Sequence, residues 1–216
     1  LRAPAEGPDR RRQDSEAVAD EVQAYVTGLL GMAGLDADPL ASPEHILLTN
    51  LVHHAWSTGD DLDLATLVGR VQDPPIRKLG VLDLDSFIPA PARTALVRRL
   101  NGLLASPTFA AWAQGEPLDV ERLLRPEGPD GRPGCAVVVL SHLSDAERQF
   151  AAAAVLGKVV TWARRQPGTD RLRALVWFDE VAGFVPPTAT PPAKAPVLTL
   201  LKQARAAGLG VVLATQ

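Results

Sequence analysis

Apolar positions recur with a helical period through the first half of the chain and with an alternating strand–helix arrangement through the second. Val18, Val22, Val26, Leu29 and Leu30 fall on one helical face, with Asp14 placed to cap the helix and Gly31 to stop it. Ser42-Pro43 opens a second helix, because proline suits a first turn whose N–H groups have no partner; Leu47, Leu51 and His54 share a side up to Gly59. A short third helix is expected over Leu62 to Val71, closed by Asp73-Pro-Pro75. A fourth runs from about Pro91 to Ala105 with Leu96, Leu100, Leu103 and Leu104 inside, and Ser106-Pro107 begins a further turn through Phe109 and Trp112. Residues 14–125 therefore read as an all-α subdomain, preceded at 1–13 by a polar linker rich in Pro, Gly and Arg.

The pattern changes after the turn-rich stretch Arg125 to Gly134. Ala136 to Leu140 is a continuous β-branched run and is expected to be a buried strand. Ser144-Asp-Ala-Glu147 has the form of a capping box, which opens a helix to about Arg165. Strand Leu172 to Phe178, a proline-rich loop, helix Pro196 to Ala207 and strand Leu209 to Ala214 complete the alternation. Such an order implies parallel pairing with crossover helices, so 135–216 reads as an α/β core of about three strands. The two apolar strands on either side of the last helix are expected to be covered on both faces.

Two strand ends carry the chemistry. Arg173-Ala-Leu-Val-Trp-Phe-Asp-Glu180 and Gly208-Leu-Gly-Val-Val-Leu-Ala-Thr-Gln216 are apolar runs that finish in polar residues. In open α/β sheets the carboxyl ends of the strands are where ligands sit. An acid pair there suits a magnesium–nucleotide site, with Asp179 near the metal and Glu180 beside the attacking water; Gln216 offers an uncharged amide to hold that water or sense phosphate. A strand that merely stops at an aspartate explains the first segment alone; the pair of strands is more specific.

The segment Leu172 to Gln216, including the Leu-Leu-Lys-Gln-Ala-Arg run of its helix, resembles the HerA/FtsK superfamily of P-loop ATPases. Their Walker B strand ends in Asp-Glu and their sensor strand in Thr-Gln or Ser-Gln. The resemblance extends back to Cys135, and the helical region before it looks like the insertion these ATPases carry. It implies a partial RecA-like parallel sheet with a preceding all-α insertion and a motor with ATP and magnesium as cofactors; the cytoplasm is the default location because residues 1–12 have no signal-peptide core. Such motors form homo-oligomeric rings, move DNA and work with an accessory nuclease or effector. The family keeps a basic residue before the sensor strand. Lys202 and Arg205, three apart on the last helix, are therefore candidates to reach phosphates in a neighbouring copy's site; a solvated basic face is the alternative.

The phosphate-cradling loop G-x-x-x-x-G-K-[ST] is absent from the chain. Gly157-Lys158 comes nearest, but Val159 follows where a hydroxyl is needed, Ala152 replaces the first glycine, and the setting is mid-helix. With Met32 as the single methionine and Gln216 ending a strand, an internal fragment of a longer ATPase, inactive alone, is expected. Two competing classes remain. One is a non-catalytic helical interaction module; the other is a metal-dependent nuclease-like phosphotransfer enzyme, which calls for a third carboxylate at the same sheet edge.

Composition adds limits. A chain of 216 residues, 46% hydrophobic, can bury a real core, and a net charge of −3 gives no overall footprint for nucleic acid. The single Cys135 excludes an internal disulfide framework. No apolar run reaches the roughly eighteen residues of a membrane span. His53 and His54, adjacent on a helix, point about 100° apart and cannot share a metal. His142 follows a strand near the expected site, and Asp83-Leu-Asp85 fits turn chemistry. Gly183 to Pro196 reads as a stiff proline-rich spacer with a solvated Lys194, or as a loop touching a neighbour or a translocated strand.

Overall fold

The computed structural model describes residues 15–60, 62–106, 109, 118–124 and 132–215. It divides into two compact units, 1–117 and 118–216.

The first unit is mainly helical. Helix α1 spans Ser15–Met32, α2 Pro43–Thr58, α3 Leu64–Gln72 and α5 Ala90–Ala105; between α3 and α5 lie the strands β1 (Lys78–Leu79) and β2 (Leu82–Asp83) and the short α4 (Leu84–Phe87). The face read from the sequence is the buried one. Val22, Val26, Leu29 and Leu30 of α1 and Leu47 and Leu51 of α2 are fully covered, and Leu67 and Val71 of α3 lie among the buried residues with Leu96 and Leu100 of α5. The sequence reading of Gly31 as the stop of α1 is corrected. The helix passes through it and closes at Gly34 (φ 72°), where Leu35 N–H donates to Leu30 C=O. A left-handed residue that lets the chain turn back on the last carbonyls is the true terminator. Helix α2 ends as expected, on Gly59 in the left-handed region. Asp63 caps α3 by accepting from Thr66 N–H at 2.7 Å. Asp14 and Trp112 lie outside the described residues.

The expectation of an all-α block is corrected by the β1–β2 hairpin, an antiparallel two-residue ladder turned at Gly80. Two residues per strand are too few for a period of two to register in the sequence. Asp83 ends β2, and Asp85 accepts from the mostly buried Arg93 at 2.6 Å. His45 is 1% exposed. Its Nε2 lies 2.9 Å from Thr27 Oγ1 of α1, and its Nδ1 lies 3.3 Å from Thr49 Oγ1.

In the second unit, α6 (Val120–Leu124) packs on α7 (Asp145–Arg164), which leads to β3 (Ala174–Phe178); a proline-rich segment, α8 (Lys194–Gln203) and a 3-10 turn (Ala204–Ala207) return the chain to β4 (Leu209–Leu213). The capping box at the start of α7 is formed, with Glu147 Oε2 accepting from Ser144 N–H at 2.8 Å. Strands β3 and β4 are parallel, in the register Ala174↔Leu209 through Phe178↔Leu213. Leu156, Val159, Val160 and Ala163 of α7 and Val197, Leu200, Ala204 and Ala207 of α8 and its 3-10 extension gather with Ala174, Val176, Leu209 and Val211 in one core.

Two expectations are corrected here. Among the described residues the parallel sheet has two strands, not about three. The Ala136–Leu140 run carries no ladder, and its Val137, Val138 and Val139 are exposed. β-Branched composition marks residues suited to a pleated surface, but a strand also needs an edge to pair with. Among the described residues the helices cover one face of the sheet, and Val176 and Val212 are half-buried. Leu175 and Trp177 point away from the helices and are 52% and 67% exposed.

Gly208, at φ 75°, ends the 3-10 turn; a Cβ there would meet the Arg171 carbonyl oxygen and Thr169 Cγ2. Gly208→Ala is therefore expected to lower the unfolding free energy by more than ~1 kcal/mol, measured by denaturant titration, because left-handed strain and a backbone clash add. In the first unit, burial holds the His45 pKa below 6.5 against smaller raising contributions, and burial also lowers that of His53. The unfolded chain then binds more protons than the folded one. This contribution is present above about pH 6.5 and is lost as pH falls through the lowered folded values. The melting temperature is expected to fall from pH 7.5 to pH 5.5, and less steeply in His45→Asn.

Candidate functional site

Beyond the last rung of the ladder the two strands stay stitched together. Ala214 N–H donates to Phe178 C=O at 2.9 Å, and Val181 N–H donates to Ala214 C=O at 3.0 Å. Asp179 and Glu180 thus emerge beside Ala214 and Thr215 at the carboxyl end of both strands. The juxtaposition follows from parallel pairing, since antiparallel strands would put the two ends apart. Gln216 lies outside the described residues.

The backbone at the acid pair is unusual. Glu180 has φ 52° and ψ 46°, the one positive-φ residue other than glycine among those described. A side-chained residue in this region stores strain, and such strain gathers at functional sites. Three contacts fix it. Asp179 Oδ1 accepts from Glu180 N–H at 3.1 Å, the Val181–Ala214 bond follows, and Val181–Gly183 then forms a 3-10 turn. Gln149 of α7 donates from Nε2 to Gly183 C=O at 2.9 Å, while its Oε1 is buried without a partner. The rings of Phe178 and Phe184 meet at 4.9 Å and 51°. Both carboxylates are exposed.

Such an edge can hold a hard cation. Asp179 uses one oxygen on the neighbouring amide and keeps further lone pairs; Glu180 keeps both oxygens, and magnesium takes only one or two carboxylates beside its waters and phosphates. Among the described residues no group of three or more His, Cys, Asp or Glu side chains is placed to hold a metal. The third carboxylate expected of a nuclease-type centre is thus not gathered at this edge.

Lys202 and Arg205 are not brought to the acid pair. Lys202 sits in the last turn of α8, and the helix gives way to a 3-10 turn at Ala204, so the two do not lie on one continuous α-helix. Arg205 C=O accepts from Gly208 N–H, and Gly208 C=O accepts from Arg173 N–H. Both basic residues therefore stand at the amino ends of the strands. Five strand residues separate them from Asp179, roughly 16 Å of rise. His142 is exposed in the turn before α7; Leu140, two residues earlier, packs near Phe178 and Phe184. Its charge contributes to holding the Glu147 carboxyl below its usual range, after the larger effect of the Ser144 hydrogen bonds.

Two residues at this edge were not singled out by sequence reasoning, or were read differently. Gln149 carried no signal, since glutamine on a helix is ordinary. Lys194 is not simply solvated. It is the first residue of α8, and its Nζ contacts three carbonyls of the proline-rich segment. A lysine at a helix amino terminus runs against the macrodipole, and that misplacement was the readable hint.

Compared with family models, curated proteins and solved structures, the chain matches none.

Because Glu180 is held in the left-handed region, Glu180→Gly is expected to be more stable than Glu180→Ala by about 1 kcal/mol, since glycine enters that region without Cβ cost. Denaturant unfolding of the two variants decides this. Equal stability, or a more stable alanine variant, removes the strain argument.

Proposed function

We propose that this chain supplies the metal- and water-handling sheet edge of an ATP-hydrolysing motor of the HerA/FtsK type, built on a partial RecA-like core. The observation that supports this best is the parallel β3–β4 ladder, which delivers Asp179–Glu180 and the Ala214–Thr215 segment after β4 to one end. Antiparallel pairing would have left these features without a common site. The reading continues the sequence resemblance, including magnesium and ATP as cofactors and the cytoplasm as location. Among the described residues no helix is long and apolar enough to cross a membrane.

In this reading magnesium supplies charge neutralisation at the phosphates. Asp179 anchors the ion's hydration shell, its orientation fixed by the bond to Glu180 N–H. Glu180 draws a proton from the attacking water, and its left-handed backbone turns the carboxylate away from the direction a continuing strand would give it. Gln216, adjoining Thr215, reports the state of the phosphate. Lys202 and Arg205 stand at the opposite end of their own sheet, so they can act on phosphates only across a ring interface, in a neighbouring copy's site. DNA as the moved substrate and an accessory nuclease or effector as partner complete the proposal.

The test uses the protein that joins this chain to a phosphate-binding loop. Glu180→Gln keeps size and hydrogen-bonding reach but removes the proton acceptor. Turnover is expected to fall by about 10²-fold or more while ATP affinity changes little. Asp179→Asn should instead shift the magnesium dependence to higher concentration. The chain 1–216 alone, without amides and lysine to grip phosphates, should hydrolyse no ATP. A Glu180→Gln enzyme with near-native turnover would end the assignment.

A further inference from the structure

Residues 184–193 follow the acid pair and its 3-10 turn. Both ends of this strap are anchored at the end of β3. Phe184 packs on Phe178, and the fully buried Ala193 sits with Ala152 and Ala153 of α7. Its middle has no such support. Thr188, Ala189 and Thr190 are exposed, and while Pro191 and Ala193 C=O accept from Lys194 and Val197 N–H, the carbonyls of Pro186, Pro187 and Ala189 take no backbone N–H. Four prolines, Pro186, Pro187, Pro191 and Pro192, stiffen it but contribute no N–H.

One side chain fills the gap. The Lys194 ammonium lies 2.5 Å from Pro186 C=O, 2.8 Å from Ala189 C=O and 3.3 Å from Pro187 C=O. An ammonium has three N–H donors and no acceptor, and here all three find carbonyl partners. This occurs at the first residue of α8, where a positive charge opposes the helix dipole. The contacts offset that unfavourable placement, because hydrogen bonds to an ionised donor are stronger than neutral ones.

We infer that the carbonyls of Pro186, Pro187 and Ala189 form a binding site for a primary ammonium. The Lys194 side chain is its resident occupant, and the site clasps the strap closed beside the Asp179–Glu180 edge. Loss of the charge, by substitution or by acylation of Nζ, removes the donors and frees the strap while its two ends stay anchored. The inference is independent of the nucleotide reading, since it concerns only whether one cation holds one segment.

Three measurements on the chain 1–216 test it. In the wild-type protein, nitrogen–proton NMR should show one lysine ammonium protected from exchange with water, absent from Lys194→Met. Limited proteolysis within 184–193 should be about tenfold faster or more in Lys194→Met and near wild-type in Lys194→Arg, which keeps charge and donors. Cleavage elsewhere should be unchanged, which reports an intact fold. In Lys194→Ala, methylammonium chloride should slow strap cleavage, whereas tetramethylammonium chloride, charged but without N–H donors, should not. Strap cleavage in Lys194→Met at the wild-type rate, or equal rescue by both salts, would overturn the clasp.

Discussion

Burial of one face of a two-stranded sheet under α7 and α8 is the constraint on which the second unit rests. A five-residue parallel pair has too few hydrogen bonds to persist by itself. It is held by Ala174, Val176, Leu209 and Val211 packing against Leu156, Val160, Val197 and Leu200. The same packing fixes direction. Because α8 carries the chain from the end of β3 back to the start of β4, both strands run the same way and both end at one edge. The acid pair, with its strained Glu180, and the Ala214–Thr215 segment after β4 are neighbours as a consequence of that crossover.

The long elements were legible because their signals are periodic and local. Five apolar positions on α1, the proline at the start of α2 and the reciprocal Ser144–Glu147 cap each act within a few residues, and each element appears where its pattern lies. The parallel sense of β3 and β4 was legible from the helix between them. Pairing was not legible in general. Ala136–Leu140 has the composition of a strand and none of the hydrogen bonds, since composition carries no information about an available edge. Gly31 and Gly34 differ likewise: either could stop a helix, and only the carbonyls presented by the preceding turn select Gly34. Of the candidate site, the acid pair stands at the expected edge; the Gln149 and Lys194 contacts join residues through the fold and left almost no trace in sequence.

The uncovered face of the sheet has a composition that water does not favour. Leu172, Leu175 and Trp177 are exposed on or beside β3, and a Cβ at Gly210 would run into the side chains of Leu172 and Leu175. The glycine thus makes room for apolar side chains that lie over the strand rather than against a helix. Exposed single apolar residues are ordinary, but a row on one strand face is the surface that a further layer covers in three-layer α/β folds. The exposure of Leu172, Leu175 and Trp177 therefore marks this face as one suited to a covering layer.

Charge is distributed along the second unit in a way that matters for any anionic ligand. Arg171, Arg173, Lys202 and Arg205 are exposed at the amino ends of the strands, and Asp179 and Glu180 are exposed at the carboxyl ends. Among the described residues Lys194 of the strap is one cation near the acid edge, and its ammonium is engaged by three carbonyls. Two exposed carboxylates repel phosphate, so an anionic ligand at this edge needs positive charge to offset them.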